Sequence, residues 1–392
     1  MYLITNGQIV TENGILINHD LLIEGGIIKK IAAKGEMKKE DSIEVIDAKG
    51  GYISPGFVDI HSDFIETMAV PRPTTMLDFN LCLRESEKIL INQGITTMFH
   101  SLSLYKPDGF SHKPIRTSEN VKKFANLIDK THEDKHLIRH RFHARLEIDN
   151  FEEIDNLKEY IKGNKVHLIS FMDHTPGQGQ YKNLEVYRNT IKGYKSISDE
   201  EVDVIIEGHK GKEKMTMELI KEIADLAKSK NIAVASHDDD CLEKLNLIKG
   251  LGASISEFPI TLDIARRAKE MGMLTLAGAP NILQGGSHSG NLSAIDAINN
   301  DTIDILCSDY YPAALLHSIF IMHEKYNQDL GKMFNLVTIN PARAVNMDSE
   351  IGSIKENKRA DIIIIEKISE NYPVITSVFV DGNLISRTNY RT

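Results

Sequence analysis

The stretch Ser54-Pro55-Gly56-Phe57-Val58-Asp59-Ile60-His61-Ser62-Asp63 decides how the chain is read. A Pro-Gly turn opens an apolar run of strand character, and the run ends in His61 and Asp63. Residues at i and i+2 of a strand share a face, so one metal ion at the strand's C-terminal end could take both an imidazole nitrogen and a carboxylate oxygen. A strand tip carrying two ordinary polar residues is the plainer alternative, and the surrounding sequence has to choose between the two.

Working outward toward the N-terminus, residues 2–55 are short strand-like runs divided by Asn6-Gly7, Asn13-Gly14, Gly25-Gly26 and Gly50-Gly51. The far end has the same texture: Ala360–Ile365, then Val374–Val380, then an Asp381-Gly382 turn before Leu384-Ile385. Two β-rich ends around a different middle predict one small β-sandwich domain made of residues 1–55 and 346–392, with residues 56–345 inserted into it.

The inserted part alternates. Strand ends are expected near His61-Asp63, Ile95–Ser101, Phe142–Ile148, Val166–Asp173, Ile232–His237, Ala253–Phe258, Leu274–Ala277 and Ile303–Asp309. Helical spacing of apolar residues falls at Leu77–Asn92, Glu119–Lys130, Met215–Lys230, Cys241–Leu251, Thr261–Met271 and Ala313–Lys325. This count and length fit an α/β fold of the (β/α)8 TIM-barrel type. A doubly wound open sheet would want a glycine-rich phosphate turn after its first strand, where His61-Ser62-Asp63 stands instead. The charged stretch Asp199–Met217 reads as a longer loop.

Barrel active sites gather where the strands end. There the sequence places His61 and Asp63, Glu147, Asp173 and His174, His237, and Asp309, each directly after an apolar run. Their convergence on one rim predicts a metal site with His61, Asp63, Glu147, His174, His237 and Asp309 as ligands. Two divalent ions roughly 3.5–4 Å apart need a bridging carboxylate, for which Glu147 is the candidate. Asp309 is the candidate general base, able to take a proton from a metal-activated water. Zinc heads the candidate ions, and imidazole and carboxylate ligands suit manganese and iron as well.

Plainer readings stand beside these. Asp238-Asp239-Asp240 reads as an acid-rich helix N-terminus. Asp173 is either an orienting partner of His174 or a substrate contact. His100 and His143 read as structural, and His112, His132 and His136 as surface residues. For substrate, Asn281 and the Gly285–Asn291 loop, with Gly286 and His288, offer backbone N–H groups and a side chain to phosphate oxygens. Arg72, stiffened between Pro71 and Pro73, is a candidate phosphate clamp. Lys210 and Lys212 are weaker candidates.

Composition narrows the partners. A net charge of −10 over 392 residues argues against nucleic acid and anionic membranes, which want a basic face, and leaves room for a small anionic substrate. Cys82, Cys241 and Cys307 are widely spaced, with no CxxC, and read as reduced thiols. No apolar run approaches the roughly 20 residues of a membrane span, and residues 1–10 lack the order of a signal peptide. The expectation is a cytoplasmic protein, with a homodimer left open.

Pro55–His61, the two β-rich ends, Asn340-Pro341-Ala342, Gly352-Ser353-Ile354 and Ala360-Asp361 together resemble the amidohydrolase superfamily. The resemblance covers nearly the whole chain and implies a metal-dependent hydrolase. Two departures stand out: His61-Ser62-Asp63 replaces the usual His-x-His, and no lysine ends the fourth strand, so Glu147 would bridge the metals instead. His61–Asp63 with Pro71-Arg72-Pro73, Asp173–Gln178, Ser236–Asp239, Gly278–Asn281, Gly285–Asn291 and Ser308–Pro312 resembles one branch, the diphosphatases of the carbon–phosphorus lyase pathway. That likeness implies hydrolysis of α-D-ribose 1-methylphosphonate 5-triphosphate to the 5-phosphate and diphosphate. A C–N hydrolase of the same superfamily, a deacylase or cyclic-amide hydrolase, is the alternative activity, and an inactive scaffold barrel is a remoter one.

Overall fold

At Pro55-Gly56 one sheet hands over to another. The computed structural model describes residues 1–392 apart from 38–40, 73–74, 105–113, 182, 195–197, 288–289 and 392. Strand β5 (Tyr52–Pro55) ends the N-terminal run formed by β1 (Tyr2–Thr11), β2 (Gly14–Glu24), β3 (Ile27–Ala33) and β4 (Glu44–Asp47). Strand β6 (Phe57–Ser62) then opens the barrel. Gly56 is required between them, because a Cβ there would stand 2.3 Å from the Thr96 side chain.

The barrel continues with β7 (Ile95–Leu104), β8 (Arg139–Glu147), β9 (Leu168–Met172), β10 (Ala233–His237), β11 (Ile255–Glu257), β12 (Leu274–Gly278) and β13 (Ile305–Cys307). These eight strands, β6 to β13, pair in sequence order and in parallel. Their ring closes at the mouth through a parallel bridge between Ser62 and Asp309. Deeper in the seam the amides of Val58 and Leu306 instead reach the carbonyls of Val337 and Leu336, both at 2.9 Å. The expected (β/α)8 barrel is therefore present, sealed partly by a connecting segment.

The chain's last strands, β14 (Ile362–Ile368), β15 (Tyr372–Val380) and β16 (Asn383–Arg387), complete the other sheet. Its order is β16-β15-β14-β5-β1-β2-β3, with β4 beside β1. The antiparallel pairing of β14 with β5 joins the two ends of the chain. Ile4, Ile9, Leu21, Ile53, Ile362 and Phe379 share its core. Sheet and barrel meet at Arg139, the first residue of β8, whose guanidinium pairs with Asp361 and Asp381.

The helices follow the apolar spacing closely: Phe79–Asn92, Ser118–Thr131, Met217–Ser229, Leu242–Leu251, Leu262–Glu270 and Ala314–Tyr326. Asp78, Thr117, Thr216 and Thr261 cap four of them, each accepting a backbone N–H of the first turn. The 199–217 stretch differs from its loop reading. Helices Leu184–Tyr194 and Asp199–Lys210 form a hairpin after β9, with Tyr187, Ile191, Val202 and Ile206 as a small core of its own. Three acids open the second helix, where the helix dipole favours them. Among the described residues, no helix is long and apolar enough to cross a membrane.

Candidate metal centre and its cavity

His61 lies near the end of β6, His237 ends β10, and Glu257 ends β11. All three are buried and offer ligand atoms within 4.8 Å of one another. A second group, His174, His237 and Asp238, shares His237 with the first. The two groups therefore mark adjoining positions at one end of the barrel.

Backbone geometry aims several of these groups. Asp238, Phe258 and Asp309 follow β10, β11 and β13 with φ of 53°, 55° and 57°. Left-handed backbone at non-glycine residues costs about 1–3 kcal/mol each, and these three positions follow strands that end at the same rim. Asp309 is further fixed by its amide on the His61 carbonyl at 3.1 Å, and its own carbonyl receives the Ser62 hydroxyl at 2.9 Å.

Charge and hydrogen bonding suit cation binding. Burial alone would raise the Glu257 carboxyl, yet His61 and His143 hold it well below the ordinary carboxylate range. The Ser170 hydroxyl donates to its other oxygen at 2.7 Å. Burial holds His237 below its usual value against the pull of Asp238, which favours the neutral ring a metal requires. His237 Nδ1 and Asp238 Oδ2 lie 2.9 Å apart but make no hydrogen bond to each other or to anything else described. Two buried polar atoms left without hydrogen bonds beside neutral imidazole fit a divalent ion. Burial would lower His174, but Glu147 on its Nδ1 raises it, leaving Nε2 toward Asp238 Oδ2 at 3.8 Å.

A cavity of about 350 Å³ opens onto this centre. His61, Asp63, Arg145, His237, Asp238 and Asp309 line it, with Phe258, Asn281, Ser287, Asn291 and Tyr310. Asn281 also ties its loop together, accepting from the Ala294 amide at 2.9 Å and donating to the Leu292 carbonyl at 3.2 Å.

The structure thus brings His61, His174 and His237 into the two ligand groups, places Asp309 on the cavity wall but in neither group, and revises other expectations. Asp63 lies beyond the strand, at the N-cap position of helix Phe64–Ala69 without a side-chain cap bond, so the i, i+2 argument does not reach it. Its carboxylate meets Arg145 at 2.9 Å and Arg116 at 3.7 Å, and it joins neither ligand group. Glu147 is likewise in neither group and instead orients His174. Asp173 is drawn off the cavity by Lys214 at 2.7 Å and by Thr175. Arg72 is exposed and does not line the cavity, nor does Gly286. Lys212 pairs with Asp149 at 3.5 Å. His288, His112, Pro73 and the Lys210 side chain lie outside the described residues.

The three acids after β10 are more than a helix start. Asp238 faces His174 and His237, Asp239 is buried on the Ser236 and Ser256 hydroxyls, and Asp240 receives the Gly179 amide at 3.2 Å. Gly179, at φ 50°, comes so close that a Cβ would sit 3.1 Å from Asp238. His143 is buried between Ser101 and Ser170, and His100 stacks on His140, as structural histidines do. His132 is half-buried rather than a surface residue.

The barrel carries its histidine–carboxylate centre at its mouth, where barrel enzymes place their active sites. The chain belongs to the amidohydrolase family, whose model matches residues 52–385, and whose members are generally metal-dependent. A model of the NagA composite domain matches residues 1–53. The chain is 32% identical to the α-D-ribose 1-methylphosphonate 5-triphosphate diphosphatase of Escherichia coli strain K12, over 98% of this chain and 100% of that one. Dihydroorotase from Bacillus pumilus strain SAFR-032 is 47% identical, but over only 15% of this chain and 13% of its own. Among solved structures, molinate hydrolase superposes with a TM-score of 0.68 at 15% identity, covering 98% of this chain and 94% of that one. N-acetylglucosamine-6-phosphate deacetylase from Pasteurella multocida superposes with a TM-score of 0.64 at 12% identity, covering 98% and 99%.

Proposed function

We propose that this chain hydrolyses α-D-ribose 1-methylphosphonate 5-triphosphate to the 5-phosphate and diphosphate, in phosphonate catabolism. The observation that carries this reading is the end-to-end likeness to a diphosphatase named for that reaction. The cavity is compatible with it: one wall is a buried histidine–carboxylate centre, and Arg145, Asn281, Ser287, Asn291 and Tyr310 stand among apolar residues on the others.

His237 would hold a divalent ion either with His61 and Glu257 or with His174 and Asp238, since a neutral imidazole donates to one ion only. Such an ion supplies Lewis acidity at phosphorus and a water acidified toward a pKa of about 7. The protein does the rest. Asp309 takes the proton of the attacking water, held in place by its backbone bonds to β6. Glu147 keeps the His174 Nδ1 proton in place, fixing which nitrogen faces the centre. Ser170 and His143 steady Glu257 from behind. Asn281 fixes the loop that carries Ser287 and Asn291 to the cavity. The water oxygen bonds to phosphorus, a P–O bond of the bridge between the α- and β-phosphorus breaks, and diphosphate departs from the 5-phosphate.

The test is diphosphate release from this triphosphate by protein stripped with chelator and then reloaded. Release restored by zinc, manganese or iron(II) supports the reading. No release with metal bound stoichiometrically would overturn it and direct attention to amides and cyclic imides.

A further inference from the structure

Arg145 is the only lysine or arginine among the described residues that line the cavity. It lies on β8 two residues before Glu147, so the two share a strand face. Its side chain is 9% exposed. One guanidinium nitrogen donates to Asp63 at 2.9 Å, another lies 3.1 Å from His237 Nε2, and Nε has no hydrogen-bond partner among the described residues. Asp63 is shared, because Arg116 approaches its other oxygen at 3.7 Å while gripping Glu66 at 2.7 and 2.9 Å.

A buried guanidinium with an unpaired nitrogen is costly unless something occupies it. Nε itself is shut off from solvent, so a group in the cavity beside the proposed metal centre would meet the guanidinium through its other atoms. A neutral amide would leave the charge half-compensated, whereas a phosphoryl group matches the guanidinium fork with two parallel hydrogen bonds.

We propose that Arg145 grips a phosphoryl group of the substrate next to the metal centre, and that Asp63 and Arg116 are positioning residues that hold it there. The third residue of His61-Ser62-Asp63 then serves an arginine instead of a metal. This rests on the diphosphatase reading and names the side chain that selects a polyphosphate over an amide.

The test has two parts. Calorimetric titration of metal-free protein with inorganic diphosphate should show binding that Arg145→Ala weakens at least about tenfold, since removing a charge-assisted fork costs about 1.5–3 kcal/mol. In the metal-loaded protein, Arg145→Lys should lower kcat/KM for the triphosphate about 10²-fold with an unchanged melting temperature, because an ammonium lacks the fork. Asp63→Asn, which keeps the guanidinium but loosens it, should cost less, mainly in KM, and added guanidinium should partly restore Arg145→Ala. Wild-type turnover with unchanged kinetics in Arg145→Lys and unchanged diphosphate binding in Arg145→Ala would overturn the inference. Wild-type protein that fails to cleave the triphosphate would instead overturn the diphosphatase reading. The titration would then decide the role of Arg145 in binding phosphate groups by itself.

Discussion

Strand β8 carries two buried arginines, one at each end, and they are used in opposite ways. Arg139, at the start, is held by two carboxylates of the fold: Asp361 takes both terminal nitrogens, Asp381 takes one of them as well, and Asp381 is paired in turn with Arg359. Arg145, near the end, has a shared carboxylate and a nitrogen without a hydrogen-bond partner among the described residues. The first cluster closes on itself and joins barrel to sheet. The second stays open toward a cavity. A buried charge whose partners are all supplied by the fold belongs to the architecture, and one left partly unpaired at a barrel mouth points to a ligand.

The largest effect that would break this contrast lies at the open end. His237→Ala removes the one residue common to both ligand groups. Metal analysis should show loss of stoichiometric ion, and activity should fall to background. Retention of stoichiometric ion would mean that other side chains hold it. Asp309→Asn should leave metal content and melting temperature intact and reduce kcat by about 10²–10⁴-fold, because an amide cannot accept the water's proton. Near-normal turnover would move the base elsewhere.

At the closed end the expected change is in stability. Arg139→Met leaves Asp361 buried beside a hydrocarbon and should cost about 3–5 kcal/mol in denaturant unfolding. Folded protein should keep its kcat/KM. An equal loss of activity at full stability would erase the distinction between the two arginines.

The smallest effect is a pH dependence set away from both clusters. Burial pushes His167 down to about 3 and His132 to about 4. The Phe142 amide donates to His167 Nδ1 at 3.1 Å, which requires the neutral ring. The unfolded chain therefore binds more protons than the folded one below about pH 6.5. The stability these two rings contribute is complete above that pH and drains away as the pH falls toward 4 and then 3. Melting temperature should drop between pH 7 and 5, and His167→Gln should flatten the drop. A wild-type profile flat across that range would contradict the shifts.

Much of the fold could be read directly from sequence, because a period of two along strands and of 3.6 along helices survives without tertiary context. His61, His174, His237 and Asp309 could be found by a single rule, a polar group directly after an apolar run. The rule missed Glu257 because Phe258 follows it, so the apolar run seemed to continue past the strand's true end. It misplaced Asp63 because the strand stops at Ser62, and one residue of difference changes which way a side chain faces. Arg145 was within reach, since its place two residues before Glu147 puts it on the same face. Asp238 was not, because its direction depends on a left-handed φ that no spacing reveals.

Phosphorus NMR of the metal-loaded protein with α-D-ribose 1-methylphosphonate 5-triphosphate follows the proposed cleavage bond by bond. The expected result is loss of the triphosphate resonances with matched growth of diphosphate and a 5-phosphomonoester, the phosphonate signal remaining a phosphonate. Orthophosphate released one unit at a time, or an unchanged spectrum with metal in the site, would contradict it.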